Sequence, residues 1–217
     1  NRVQHPRLQG SAADVRDPGA LSDVFNAALV RLGAPDVVIA GAAGNFVAPA
    51  SAISPNGFKS VVDIDLLGTF NVFRLAFDIS QRPASFMAIT APQAVNPMTR
   101  QVHVCAAKAG VNMMLKVLAM EWGPAGVRVN GISPGPIAGT EGVERMAPTE
   151  IEKLRWSEGL ALRRLGQLSD IANTALFLCS PQAQYITGAI IDCDGGMALG
   201  DASGDHSLAI APRSFYG

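Results

Sequence analysis

Charge is scarce in this chain. Asp, Glu, Lys and Arg make up 16% of its 217 residues and the formal net charge is −1, so no single-sign surface of the kind that holds nucleic acid or an anionic membrane is expected. Aromatic residues are few, at 6%, and the only two tyrosines, Tyr185 and Tyr216, stand late in the chain. Cysteines number three, Cys105, Cys179 and Cys193, in apolar or helical settings without CxxC spacing. That pattern predicts reduced core thiols of a cytoplasmic protein, not a disulfide framework or a metal site. No apolar run is read as reaching the length of a membrane span. The opening NRVQHPRLQG has no hydrophobic signal core, and the closing SFYG is not an SKL-type address.

What the chain does have is apolar residues, 48% of the total, enough to bury a large core in one domain spanning residues 1–217. Leu8 to Val15 is a short strand candidate. Leu21 to Leu32 carries an apolar stripe at helical spacing and stops at Gly33. Val37 to Ala40, Ser85 to Thr90, Val127 to Ile132 and Ile186 to Cys193 are continuous apolar strands. Between them run helices: one capped by Ser54-Pro55-Asn56 and starting near Gly57, one from Gln101 to Trp122, and one through Ala172 to Cys179 capped by Ser169 and Asp170. Strands of this kind alternating with helices predict an α/β fold with a parallel sheet covered on both faces.

The stretch from Gln101 to Thr140 organises the rest. Its helix is rich in small and apolar residues, with Ala106, Gly110, Met114 and Val117 at three-to-four spacing. Lys108 is the only charge in its first three turns. A lone helical Lys is ordinarily solvated, but here a buried strand and a Pro-Gly-Pro loop follow, and ligands of open α/β sheets sit beyond the carboxyl ends of the strands. In the helix after Gly57, Asp63 and Asp65 interrupt an apolar face. One of the two must be solvated and the other needs a partner, because an unpaired buried carboxylate is costly. Lys108 is the candidate partner of Asp65.

A helical Lys followed by WGPAGVRVNGISPGPIAGT and much later by ITGAIIDCDGG resembles the short-chain dehydrogenase/reductase family, a single-domain, doubly wound Rossmann-like fold that uses NAD(P). The similarity runs from Ala12 to Gly196. It implies that Asp14 meets the adenine, with a turn or capping Asp as the alternative, and that Gly41 and Ala42 let the backbone pass the cofactor ribose. It further implies that Pro134, Gly135, Ile137 and Thr140 wrap the nicotinamide while Lys108 holds its ribose. Only thirteen residues precede Asp14, fewer than a first strand, Gly-rich turn and helix require. The expectation is therefore a sequence that lacks its beginning, with a truncated relative as the alternative.

Carbonyl reductases of the family pair the Lys with a Tyr and a Ser; here Val104 and Ala91 stand at those positions, and neither can protonate an alkoxide. Enoyl reductases of lipid synthesis carry their Tyr where this chain has Gln101, and the mitochondrial type of dienoyl reductase where it has Gln93. The pattern that remains, AAGNF, Asp65, QVHVCAAKAG and PGPIAGTEG followed by Arg145, is similar to that of the peroxisomal-type 2,4-dienoyl-CoA reductases and their bacterial relatives. The resemblance implies NADPH-dependent reduction of a 2,4-dienoyl-CoA to a 3-enoyl-CoA, with NADP as cofactor, NAD as an alternative, an acyl-CoA substrate and a homotetramer. Asn45 would face the thioester carbonyl, with a turn Asn as the alternative. Phe46, Arg16, Ser54, Asn56, Gln93 and Arg145 would meet the substrate, with residues 141–166 as a flap and a solvated helix charge as the alternative for Arg145. Asp65, ionised beside Lys108, would hold a proton-delivering water. Two other readings stay open: another acyl-CoA or carbonyl reductase of this family, and an inactive binding or scaffolding homologue.

Overall fold

The computed structural model describes Leu8 and residues 10–204. Tyr216 and the tail from residue 205 onward lie outside the described residues. Among the described residues there are four strands, β1 (Val37–Ala40), β2 (Ala84–Ile89), β3 (Val127–Pro134) and β4 (Ile190–Cys193), all parallel and in the order β1-β2-β3-β4. Every strand therefore ends on the same edge. The loops that follow the four strands share that edge, where an open sheet builds its site.

Helices lie on both faces of the sheet, but the cover expected from sequence is incomplete at β1, where Val37 and Ile39 are exposed. Helix α1 (Pro18–Leu32), the rod of α2 (Pro55–Val62) and α3 (Gly68–Ile79), and α4 (Val102–Trp122) lie on one side; α7 (Leu168–Cys179) lies on the other. Period-two alternation in the strands sorts the core. Val38, Phe86, Ala88, Val127 and Val129 face Phe73, Val111, Leu115 and Trp122, whereas Met87 and Ile132 face Leu178. Phe77 stacks on Trp122 with centroids 4.4 Å apart, and Phe86 meets the same indole edge-on. The short α5 (Glu141–Met146) and α6 (Glu150–Glu158) lie between β3 and α7.

Several sequence expectations need correction. Residues 10–16 form no strand: Asp14 accepts from the backbone N–H of Asp17 in a turn, and Asp17, accepting from Gly19 and Ala20, caps α1. The last strand pairs only from Ile190, because Gly188 takes a left-handed φ of 72° just before it. Helix α7 is capped by Gln167, whose backbone N–H donates to Asp170; Ser169 lies inside the helix. Val102–Ala125 is, by length and a mean hydropathy of 1.3, long and apolar enough to cross a membrane, contrary to the sequence reading. Half of that stretch is buried inside the fold against β3 and α2, which is the position of a core helix. The small-residue stripe of α4 is mostly its outer edge: Ala106 and Val117 are exposed, and only Gly110 and Met114 are half-buried.

The three cysteines are free and half-buried, and burial pushes the Cys179 thiol above its ordinary value.

Candidate active site

Lys108 is buried, 5% exposed, and Asp65 is fully buried. The Lys108 Nζ lies 3.2 Å from the Asp65 Oδ2 and donates to the carbonyl of Ile89, the last residue of β2, at 3.1 Å. The other carboxylate oxygen of Asp65 accepts from the Gly44 backbone N–H at 2.6 Å. Asp63, by contrast, is partly exposed and paired with Lys59. The sequence requirement of one solvated and one partnered carboxylate is thus met. What the sequence does not signal is how Asp65 gets inside. Residues Asp63–Leu67 form a π-helical turn joining α2 to α3, and the extra residue in that turn rotates Asp65 inward.

The ion pair has capacity to spare. Although Asp65 Oδ2 is within ion-pair distance of the ammonium, it makes no aligned hydrogen bond, and an ammonium has three donors. Buried polar groups of this kind call for partners. A hydroxyl pair of a sugar, or water, has the matching chemistry.

In front of the pair lies a cavity of about 530 Å³ at the carboxyl edge of the sheet. Asn45, Ile89, Gln93, Pro134, Gly135, Ile137 and Thr140 all line it, so the structure gathers six residues predicted from sequence, plus Ile89, around one space. Asn45 directly follows Gly44, and Ile89 carries the carbonyl that holds Lys108. The buried pair therefore sits immediately behind the wall. Ile137 bridges Gly166 through its neighbours: Gly166 donates to Pro136 and Ala138 donates to Gly166. This turns the backbone amide of Ile137 away from Gly166. Thr140 is less available than the sequence implied, since its hydroxyl donates to the Ile137 carbonyl at 2.7 Å and caps α5.

Gln93 is fixed by Gln101, the residue just ahead of α4. Gln101, 1% exposed, accepts from the Gln93 amide at 3.0 Å.

Other candidates lie off the cavity wall. Phe46 does not line the cavity; it stacks on the fully buried His103 with centroids 4.1 Å apart and packs near Val61 and Val104. Ser54 caps α2 by accepting from Gly57, and Asn56 is exposed in the first turn of that helix. Arg145 donates to the Asn45 carbonyl at 3.2 Å and pairs with Glu141, which ties α5 to the Asn45 loop. Asp14 and Arg16, both exposed, engage each other at 2.5 Å, and this hydrogen bond holds the Asp14 carboxyl down to about 2. Gly41 and Ala42 are exposed beyond β1. Two further wall residues, Met146 at the end of α5 and Trp156 in α6, carried no sequence signal because both helices are short and charged.

Known proteins resemble this chain over most of its length. A family model described as enoyl-(acyl carrier protein) reductase matches residues 4–198. The peroxisomal 2,4-dienoyl-CoA reductase [(3E)-enoyl-CoA-producing] of Pongo abelii is 43% identical over 188 residues, covering 86% of this chain and 64% of that protein. The probable 2,4-dienoyl-CoA reductase [(2E)-enoyl-CoA-producing] of Bacillus subtilis is 40% identical over 191 residues, 86% of this chain and 75% of that one. A crystal structure of a short chain dehydrogenase from Bacillus anthracis superposes with a TM-score of 0.77 at 38% identity, covering 85% of this chain and 73% of the other. The chain thus spans 64% of the length of the Pongo abelii reductase, under two thirds.

Proposed function

The chain belongs to the short-chain dehydrogenase/reductase family, and from that premise we propose that it catalyses the NADPH-dependent reduction of a 2,4-dienoyl-CoA to a 3-enoyl-CoA. The observation that carries the reading is the buried Lys108–Asp65 pair directly behind a cavity, in a chain whose Ser position holds Ala91, on the cavity wall, and whose Tyr position holds Val104, buried beside Val61 and Ala107. A carbonyl reduction delivers hydride to the carbon and leaves an alkoxide whose oxygen needs an adjacent acid. Reduction of a conjugated dienoyl thioester leaves no such alkoxide. Held by the Pro134 to Thr140 loop and Lys108, NADPH would supply a hydride to the far carbon of the diene, C5, and the negative charge would move onto the thioester oxygen. What the protein must then provide is donors at that oxygen, and a proton for C2.

Asn45, on the cavity wall, is assigned the amide donor to the thioester oxygen. Lys108 is assigned the ribose contact and the positive charge, and its remaining donors fit both. Asp65 Oδ2 is assigned a water whose proton reaches C2 through Lys108. The new C5–H bond takes the hydride, the C2–H bond takes a solvent proton, and the remaining double bond lies between C3 and C4. Protonation at C4 would instead give the 2-enoyl product named for the Bacillus subtilis relative. Pro134, Gly135 and Ile137 are assigned to the nicotinamide, and Arg16 and Arg145 to the CoA phosphates.

The test is isotopic. The full-length protein in heavy water, given 2,4-decadienoyl-CoA and NADPH, should consume NADPH and yield a 3-enoyl-CoA with deuterium at C2 and none at C5. Deuterium at C4 would reassign the proton route. No turnover of dienoyl-CoA, with turnover of a ketone panel, would overturn the reading. The same reading includes a homotetramer, supported by Leu67, Phe70, Met113 and Met120, which leave an exposed apolar strip along the α3 and α4 rods. A monomer in sedimentation equilibrium would remove that part.

A further inference from the structure

Two smaller cavities adjoin the first one, and the side chains they share decide what they are for. One, of about 250 Å³, is lined by Met98, Met146, Ala147, Glu152, Trp156 and Met197. Four of those six, Met98, Met146, Trp156 and Met197, also line the main cavity. The other, of about 340 Å³, lies beyond Trp156 and Met197 and opens past Arg155 and Asp201. Trp156 and Met197 border all three spaces. They form a partition between consecutive spaces, and the chemistry of this wall is apolar and deformable, since unbranched thioethers re-pack around what they meet. The one carboxylate in the second space is tied up: Glu152 accepts from the backbone N–H and the hydroxyl of Thr149 in a capping box, at 3.0 and 2.7 Å. It therefore turns its methylenes to the cavity.

The main cavity is of ordinary size for a small-molecule site, and on the reading above it has to take both a nicotinamide ring and the conjugated end of the substrate. Little of it is left for a long hydrocarbon tail. We propose that the distal part of a long acyl chain passes between Trp156 and the methionines into the second cavity, and that this wall sets acyl-chain-length selectivity. The proposal rests on the dienoyl-CoA reading for its chemistry, and on the shared wall for its geometry. Ala147, 2% exposed, lines the second cavity and not the first, so a larger side chain there blocks the extension while leaving the reacting end untouched.

The experiment compares kcat/KM for a hexadienoyl-CoA and an octadecadienoyl-CoA in the full-length protein and in Ala147→Phe. The long substrate should lose about tenfold or more, as steric discrimination in apolar pockets allows, while the short one keeps its rate. Trp156→Ala, which removes the partition, should shift the long-to-short ratio in the opposite direction and serves if Ala147→Phe does not fold. Equal effects on both substrates, or none, would overturn the channel and leave the reaction standing. Calorimetry with saturated hexanoyl- and stearoyl-CoA separates the two ideas from the other side. If the wild type turns over no dienoyl-CoA but binds the long chain more tightly, and Ala147→Phe abolishes that difference, the reaction assignment fails and the channel survives.

Discussion

Lys108→Met and Asp65→Asn should each lower dienoyl-CoA-dependent NADPH oxidation by about 100- to 1,000-fold, the usual loss when one preorganised electrostatic contributor is removed. Each should also destabilise the fold. Asp65 is fully buried and Lys108 nearly so, and removing one member of a buried pair leaves the other charge uncompensated, at about 3–5 kcal/mol. An activity loss in a single variant could then be only a loss of folded protein. The double variant separates the two causes. Replacing both partners removes the stranded charge, and such replacements are often neutral for stability, while the Asn at position 65 keeps an oxygen for the Gly44 N–H. The double variant should therefore regain most of its thermal stability and none of its turnover. Recovery of turnover along with stability would mean the pair is structural; undiminished turnover in both single variants would remove it from the mechanism altogether.

The logic that made this pair readable from sequence also marks where such reading stops. Lys108 and Asp65 each interrupt an apolar helix face, and the cost of burying a lone charge demands a partner; only the pairing that satisfies both survives. Strand β3 was legible for a similar reason, as a continuous apolar run buried on both faces; in β1, read by the same rule, only Val38 and Ala40 are buried, while Val37 and Ile39 are exposed. Leu8 to Val15 looks like a strand in composition, yet a strand is defined by its neighbour, and among the described residues none pairs with it. The Gly44 N–H that grips Asp65 is a backbone group with no sequence signature, brought close by a π-helical turn that shifts the helical period by one residue. Gln101 was visible as a helix start and a missing Tyr, but its partnership with Gln93 joins two segments that sequence alone does not bring together. Trp156 was hidden because α6 is short and charged, with no buried residue to mark an inward face.

The second large effect concerns Gly135, and it can be told apart from a ligand effect by a second glycine. A Cβ on Gly135 would lie 2.5 Å from the carbonyl oxygen of Asp194 and 2.6 Å from its Cα. These are backbone atoms, and they cannot swing aside: the Asp194 carboxylate accepts from the N–H groups of Gly196 and Ala198 at 2.8 and 2.7 Å, while Gly135 itself donates to Cys193 at 3.1 Å. Gly135→Ala must therefore push the end of β3 away from β4, and with it Pro136, Ile137 and Thr140. Overpacking of this kind costs about 1–3 kcal/mol. Because the displaced loop is the one assigned to the nicotinamide, NADPH affinity should fall by about tenfold or more, equivalent to roughly 1.4 kcal/mol. At Gly41 the same substitution meets only Ile89 Cγ1, at 3.7 Å, an ordinary contact. Gly41→Ala should leave the melting temperature unchanged, within the about 0.5 kcal/mol expected of an exposed site without special packing. Any loss of NADPH affinity there would report the cofactor passing close to the backbone. Calorimetric titration of both variants with NADPH, alongside thermal melts, distinguishes a loop moved by packing from a loop crowded by ligand. A Gly135→Ala protein that melts and binds like the wild type would show that the Pro134 to Thr140 turn is not held rigid by the contact with Asp194.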